Sequence, residues 1–140
     1  MSWQFWAVMS AVFAALTAVL AKVGVAGVNS DFATFIRTVV ILACLATFVY
    51  ATGQFQAPGT VAARTWVFLA LSGLATGASW VCYFRALKTG DAAKVAPIDK
   101  LSVVLVAIFA AAFLGERPTP AAWAGISLIA AGAVLIATGL

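Results

Sequence analysis

The sequence contains no histidine, and only 9% of its residues carry a charge. Without histidine, the commonest general base and metal ligand are missing. Cys44 and Cys82 lie in separate apolar runs without CxxC spacing. We therefore predict no metal site, no cofactor and no enzymatic activity. Soluble domains usually carry about 25% charged residues, so a water-soluble fold is excluded as well. The basic residues occur singly between apolar stretches, and this spacing predicts no nucleic-acid-binding surface.

Long apolar runs dominate the chain, since 65% of its 140 residues are hydrophobic. About 20 apolar residues in a helix cross a hydrocarbon core of about 30 Å. Together with turn residues and aromatic residues at the ends of the runs, this length predicts five transmembrane helices, near residues 3–22, 32–52, 66–87, 95–114 and 120–139. The predicted fold is a single all-α integral membrane domain covering residues 1–140. Its helices are predicted to contact the lipid bilayer.

The charged residues are concentrated at one end of the predicted helices. We call side A the membrane surface at which the first span begins, and side B the surface at which it ends. The residues on or near side B are Lys22, Asp31, Arg37, Arg85, Lys88, Asp91, Lys94, Asp99 and Lys100. Those near side A are Arg64, Glu116 and Arg117. The flanking bases alone are nearly balanced, which allows dual insertion, whereas counting Arg37 and Lys100 favours one topology with a cytoplasmic C-terminus.

Three of these charged residues are predicted to lie below the membrane surface. Arg37 is about six residues into the second span, and Asp99 and Lys100 are about five or six residues into the fourth. A charge in lipid costs at least about 2.5 to 3.5 kcal/mol on insertion scales, so such groups usually face a bundle interior or a hydrated cavity. They predict a polar site or gate; the alternative is that Arg37 and Lys100 extend to the nearby interface. Pro97 either marks a hinge beside them or starts the helix.

Small residues line one stripe of the fifth predicted helix, at Ala121, Gly125, Gly132 and Gly139. Between helices in lipid there is no hydrophobic driving force, so small residues that let backbones approach closely are the usual means of association. We expect a partner helix on this stripe, either from another subunit or from the same chain.

The chain resembles the EamA-like branch of the drug/metabolite transporter superfamily. The most characteristic features are residues 83–87, the Ala-Pro stretch around Pro97, and the Leu-Gly-Glu of residues 114–116, followed by a glycine-rich last helix. A looser likeness in the first two helices is carried by Trp6, Lys22 and Arg37. The resemblance therefore covers essentially the whole chain.

Members of that family usually have ten helices, built as two five-helix halves of opposite orientation around a substrate cavity. The resemblance implies that this chain is one such half. It further implies that two copies associate as a homodimer, by analogy an antiparallel one, or that the chain pairs with a similar chain as a heterodimer. Either assembly would form the inverted repeat that alternating access uses.

The implied function is transport of small polar metabolites, amino acids or drug-like solutes by a multi-pass protein of the inner cell membrane. In this hypothesis Arg37 and Lys100 attract an anionic group, and Trp80 and Tyr83 line the path. Asp99 either couples transport to protons or cations or pairs with one of the bases. The alternative is a structural or accessory subunit of a membrane complex, in which the charges only set the register of the helices.

Overall fold

Five helices of the chain are long and apolar enough to cross a bilayer, at Trp3–Gly24, Ser30–Ala51, Ala63–Thr89, Ala92–Leu114 and Pro120–Thr138. The computed structural model describes residues 2–139, and no strand occurs among them. The predicted all-α membrane fold with five spans is confirmed.

The helices are numbered in chain order, and the fourth span comprises two of them. They are α1 (Trp3–Gly24), α2 (Ser30–Ala51), α3 (Ala63–Thr89), α4 (Ala92–Asp99), α5 (Ser102–Phe109) and α6 (Pro120–Thr138). A short 3-10 turn at Pro58–Thr60 precedes α3, and a π-helical turn at Ala110–Leu114 continues α5 to the end of the fourth span.

Local signals set the ends of α2 and α6. The side-chain oxygen of Asn29 accepts hydrogen bonds from the backbone N–H groups of Asp31 at 2.9 Å and Phe32 at 3.2 Å. This is the usual way in which asparagine starts a helix. α6 ends at Thr138 because Gly139 takes the left-handed conformation, with φ of 71°, which glycine adopts without steric cost. Gly139 is therefore the C-terminal cap of α6, at the end of the predicted stripe.

The fourth span differs from the continuous helix that we expect over residues 95–114. It begins at Ala92, and it is interrupted between Asp99 and Ser102. The N–H groups of Lys100 and Leu101 donate to carbonyls three residues earlier, at 3.1 and 3.0 Å, which is the tighter 3-10 pattern. Pro97 lies inside α4 and has no N–H to donate, which weakens the preceding turn. This placement favours the hinge interpretation of Pro97.

The chain forms two compact units, each described by itself. The α2–α3 unit is Leu20–Lys88, and the α4–α6 unit combines Met1–Val19 with Thr89–Leu140. In the α4–α6 unit, α6 packs against α4 and α5. In the α2–α3 unit the buried residues all lie near side B, and they are Ala21, Val25, Ser30, Thr34, Phe84 and Leu87.

Candidate functional site

An ion pair joins the side B ends of α2 and α3. Nε of Arg85 donates to Oδ1 of Asp31 at 2.9 Å, and Nη2 donates to Oδ2 at 2.7 Å. Two parallel hydrogen bonds of this kind fix the relative orientation of the two side chains. The side chains of Arg85 and Asp31 remain 61% and 47% exposed. The pair can therefore set the register of the two helices while staying accessible to water and headgroups.

Two lysines add contacts to backbone carbonyls at the same end. Lys22, near the end of α1, donates to the carbonyl oxygen of Leu87 at 2.7 Å. Lys88, near the end of α3, donates to the carbonyl of Val28 in the connection before α2. The carbonyl of Leu87 belongs to the last turn of α3, where carbonyls lack a partner within the helix and a cation is favourable. We call Lys22, Asp31, Arg85 and Lys88 the side B latch.

Arg37 lies deeper, on the face of α2 that includes the buried Ser30 and Thr34. At 1.5 Å per residue it is about 10 Å from the start of α2. Its guanidinium carbon is 4.2 Å from the ring centroid of Trp80 and 5.5 Å from that of Phe84. Phe84 lies about one turn nearer to side B on α3, so the guanidinium is closer to the deeper of the two rings. Arg37 thus faces α3.

Within residues 2–139, the side chains that contact the guanidinium of Arg37 are aromatic. These groups are the rings of Trp80 and Phe84. No hydrogen bond or ion pair to Arg37 is formed by residues 2–139. Asp31, the one acidic residue of Leu20–Lys88, is already bound to Arg85. Arg37 therefore presents N–H donors without an acceptor from the described chain.

Towards side A, the surfaces of α2 and α3 are uncovered. Every residue from 63 to 79 of α3 is exposed, as are residues 42–48 of α2. By contrast, Phe84 and Leu87 are only 3% and 0% exposed at the side B end. Arg37 and Trp80 thus lie at the boundary between the packed end of this unit and its open end.

In the α4–α6 unit, the Asp99 and Lys100 pair lies at the interruption of the fourth span. Nζ of Lys100 is 3.3 Å from Oδ2 of Asp99, and the two side chains are 54% and 37% exposed. Lys100 is about 12 Å from the start of α4 at 1.5 Å per residue. The structure therefore pairs Asp99 with a base, which is one of the two roles considered for it. Lys100 and Leu101 keep right-handed helical backbone angles, so the span is tightened at this pair and not unwound.

The glycine stripe of α6 has no intramolecular partner among residues 2–139. A Cβ atom built on Gly125 or Gly132 would meet no atom of another segment within 4 Å, and Ala121 is exposed. The buried residue of α6 is Ala133, which is 4% exposed and lies about 100° around the helix from Gly132. The stripe is therefore exposed at Ala121 and Gly125 and half-buried at Gly132.

Five apolar spans of 19 to 27 residues define a multi-pass integral membrane protein. The chain belongs to the EamA-like transporter family, whose model matches residues 1–138, so the resemblance is confirmed. It is 68% identical over 136 residues to a Sinorhizobium sp. protein named "Uncharacterized transporter in cobO 3'region", and the match covers 97% of this chain and 96% of the relative. No solved structure matches the chain significantly. Family and relative agree with the prediction of a membrane transporter rather than an enzyme.

Sequence reasoning placed the latch residues at side B but did not pair them. One signal was available, because Asp31 is the one acid between Leu20 and Lys88 and is predicted at the same membrane surface as Arg85. Phe84 was also missed, although it lies four residues from Trp80 and so shares its face of α3. Both contacts needed the rotation of α3 about its axis, which an almost uniformly apolar helix does not reveal.

Proposed function

We propose that the protein carries small polar metabolites, amino acids or drug-like solutes across the inner cell membrane by alternating access. The observation that supports this proposal is the contrast between the two ends of the α2–α3 unit. Its side B end is closed by the latch, while its surfaces towards side A are uncovered. A carrier that opens to one side at a time needs such an asymmetry. In this proposal the state described opens to side A, and release at side B requires the latch to separate.

The charged residues within the spans supply the proposed solute contacts. Arg37, Trp80 and Tyr83 contact the solute in the α2–α3 unit, where Arg37 and Trp80 already lie together. Asp99 and Lys100 act as the gating and coupling pair at the interrupted fourth span. Separation of that pair would free Asp99 to take up a proton or cation.

The working unit in this proposal is a dimer of two such chains. The small residues of α6, exposed at Ala121 and Gly125 and half-buried at Gly132, provide a surface on which a second helix can approach closely. The Sinorhizobium relative has nearly the same length as this chain, since the match covers 96% of it. A second copy in inverted orientation, or a similar second chain, would complete the inverted repeat that alternating access uses.

The experiment is uptake by purified protein in liposomes against a panel of labelled metabolites, amino acids and drug-like solutes. The proposal predicts saturable uptake of at least one solute, which protein-free liposomes do not show. An accessory-subunit function predicts no uptake of any solute, together with stoichiometric co-purification of another membrane protein. That combined result would refute the transport proposal.

A further inference from the structure

We infer that Arg37 and Trp80 form a binding site for the carboxylate of a small solute that has an apolar body. This inference rests on the proposed transport function and names the class of solute. It starts from the position of Arg37, which lies about 10 Å below the start of α2 with its guanidinium carbon 4.2 Å from the centre of the Trp80 ring.

The guanidinium of Arg37 donates no hydrogen bond to any acceptor within residues 2–139. It carries five N–H donors and keeps its charge at any physiological pH. Its guanidinium carbon lies over the rings of Trp80 and Phe84, and neither ring carries a hydrogen-bond acceptor for its N–H groups. Since residues 2–139 supply no acceptor to Arg37, an acceptor has to come from outside the described chain.

The charge of the surrounding unit favours an anion. The α2–α3 unit contains five basic residues, Lys22, Arg37, Arg64, Arg85 and Lys88, and one acidic residue, Asp31. Asp31 is held by both of its oxygens to Arg85. The unit therefore has an excess positive charge, and low-dielectric surroundings strengthen the attraction of such charges for an anion.

The geometry favours a carboxylate on a small apolar solute. A planar guanidinium binds the two oxygens of a carboxylate through two parallel hydrogen bonds, and the half-buried Trp80 ring offers apolar surface beside it. A lipid phosphate has the same kind of oxygen but lies at the headgroup level, whereas the guanidinium is nearer to Trp80 than to the more superficial Phe84. The surfaces of α2 and α3 towards side A are not covered by the described chain, and in the proposed carrier the solute reaches Arg37 from that side.

The test measures equilibrium binding of labelled butyrate, hexanoate and benzoate to the purified full chain, each compared with its primary amide. The protein is held first in a neutral detergent and then in nanodiscs of phosphatidylcholine alone. We expect at least one carboxylate to bind about tenfold or more tightly than its amide, with Arg37→Gln removing that preference. Arg37→Lys should restore the attraction in part, because it keeps the charge without the planar fork. Trp80→Leu should weaken binding of the carboxylate and the amide alike.

Arg64→Gln is the matched control, because Arg64 also lies over an aromatic ring, with its guanidinium carbon 5.7 Å from the centroid of Phe68, and the substitution removes the same charge. It should leave binding unchanged. Circular dichroism and gel filtration of every variant separate loss of binding from loss of fold. The inference is overturned if the folded wild-type protein binds no carboxylate better than its amide, or if Arg64→Gln has the same effect as Arg37→Gln.

Other occupants of the site predict different results. If a lipid phosphate is the partner of Arg37, binding appears only for an anionic-lipid probe, phosphatidylglycerol, and not for the carboxylates. If a carboxylate of a second copy is the partner, Arg37→Gln dissociates the dimer. Either result overturns the inference. If carboxylates bind in an Arg37-dependent way but no solute is taken up in liposomes, only the transport function is refuted. If neutral solutes are taken up equally well by the wild type and by Arg37→Gln, only this inference is refuted.

Discussion

Lys22→Met tests whether the side B latch holds the α2–α3 unit closed. Nζ of Lys22 donates at 2.7 Å to the carbonyl of Leu87, whose residue is 0% exposed. Hydrogen bonds of charged groups contribute about 1.5 to 3 kcal/mol. Methionine keeps a flexible apolar chain at this position but cannot donate, so it leaves a carbonyl of the last turn of α3 unpaired. We therefore expect the closed state to lose about 1.5 to 3 kcal/mol relative to the open one.

Because each 1.4 kcal/mol is a tenfold change, this loss raises the population of the open state by about tenfold to a hundredfold. Backbone amides at the side B junction, over residues 25–34, should exchange with deuterium faster by the same factor in nanodiscs. Lys22→Arg keeps a donor and should change exchange less than threefold by the same reasoning. Lys94→Met, at an exposed lysine of α4, controls for the loss of a basic residue.

Unchanged exchange in Lys22→Met would refute the reasoning. The same conclusion follows if Lys94→Met accelerates residues 25–34 as much as Lys22→Met does. In either case, the contact between Lys22 and the last turn of α3 would make no net contribution to closure.

Three further predictions concern the other polar contacts and the stripe. Asp31→Asn and Arg85→Gln should each accelerate amide hydrogen exchange over residues 25–34. The double variant Asp31→Arg with Arg85→Asp, which reverses both charges, should restore slow exchange. If the amides of the double variant exchange as fast as those of the single variants, the pair is not coupled. Asp99→Asn should abolish uphill uptake in liposomes under an imposed pH gradient while membrane insertion persists, and unchanged uptake across pH would reject a coupling role. Gly132→Leu adds a Cβ that meets nothing within 4 Å, and the longer side chain should separate the dimer in light-scattering measurements in detergent, with circular dichroism checking the fold of each chain. An unaltered dimer would place the interface elsewhere.

The positions of the spans were predictable because span length depends on apolar composition alone. The five predicted helices correspond one to one with those of the structure. Their ends were less predictable, since Ala63 and Ala92 begin helices three residues before the apolar pattern suggests. The interruption after Asp99 was foreseen only as one interpretation of Pro97. The interruption depends on which backbone N–H and C=O groups form hydrogen bonds with each other, and the residues of an apolar run do not reveal that pairing.

The candidate site was predictable in its residue types but not in its contacts. Arg37, Asp99 and Lys100 stood out because charges are costly in lipid, and Asp31 and Arg85 stood out only as surface charges. The structure joins Asp31 to Arg85, stacks Arg37 on Trp80 and pairs Asp99 with its neighbour Lys100. Each of these contacts depends on how one helix is rotated towards another or on how a span is interrupted.

By itself, the sequence determined that this protein crosses the bilayer in five helices with most of its charge at one end. The thickness of the hydrocarbon core sets the length of each apolar span, and the cost of burying charge keeps most charged residues out of the spans. Only the tertiary structure decided that the side B ends of α2 and α3 are latched, that Arg37 turns towards Trp80, and that no other described segment approaches the glycines of the α6 stripe closely. The physical reason is that helices which are apolar on every side carry little periodic signal of their rotation. Their facing surfaces are set by the few polar contacts and close-packed residues that meet when the chain folds.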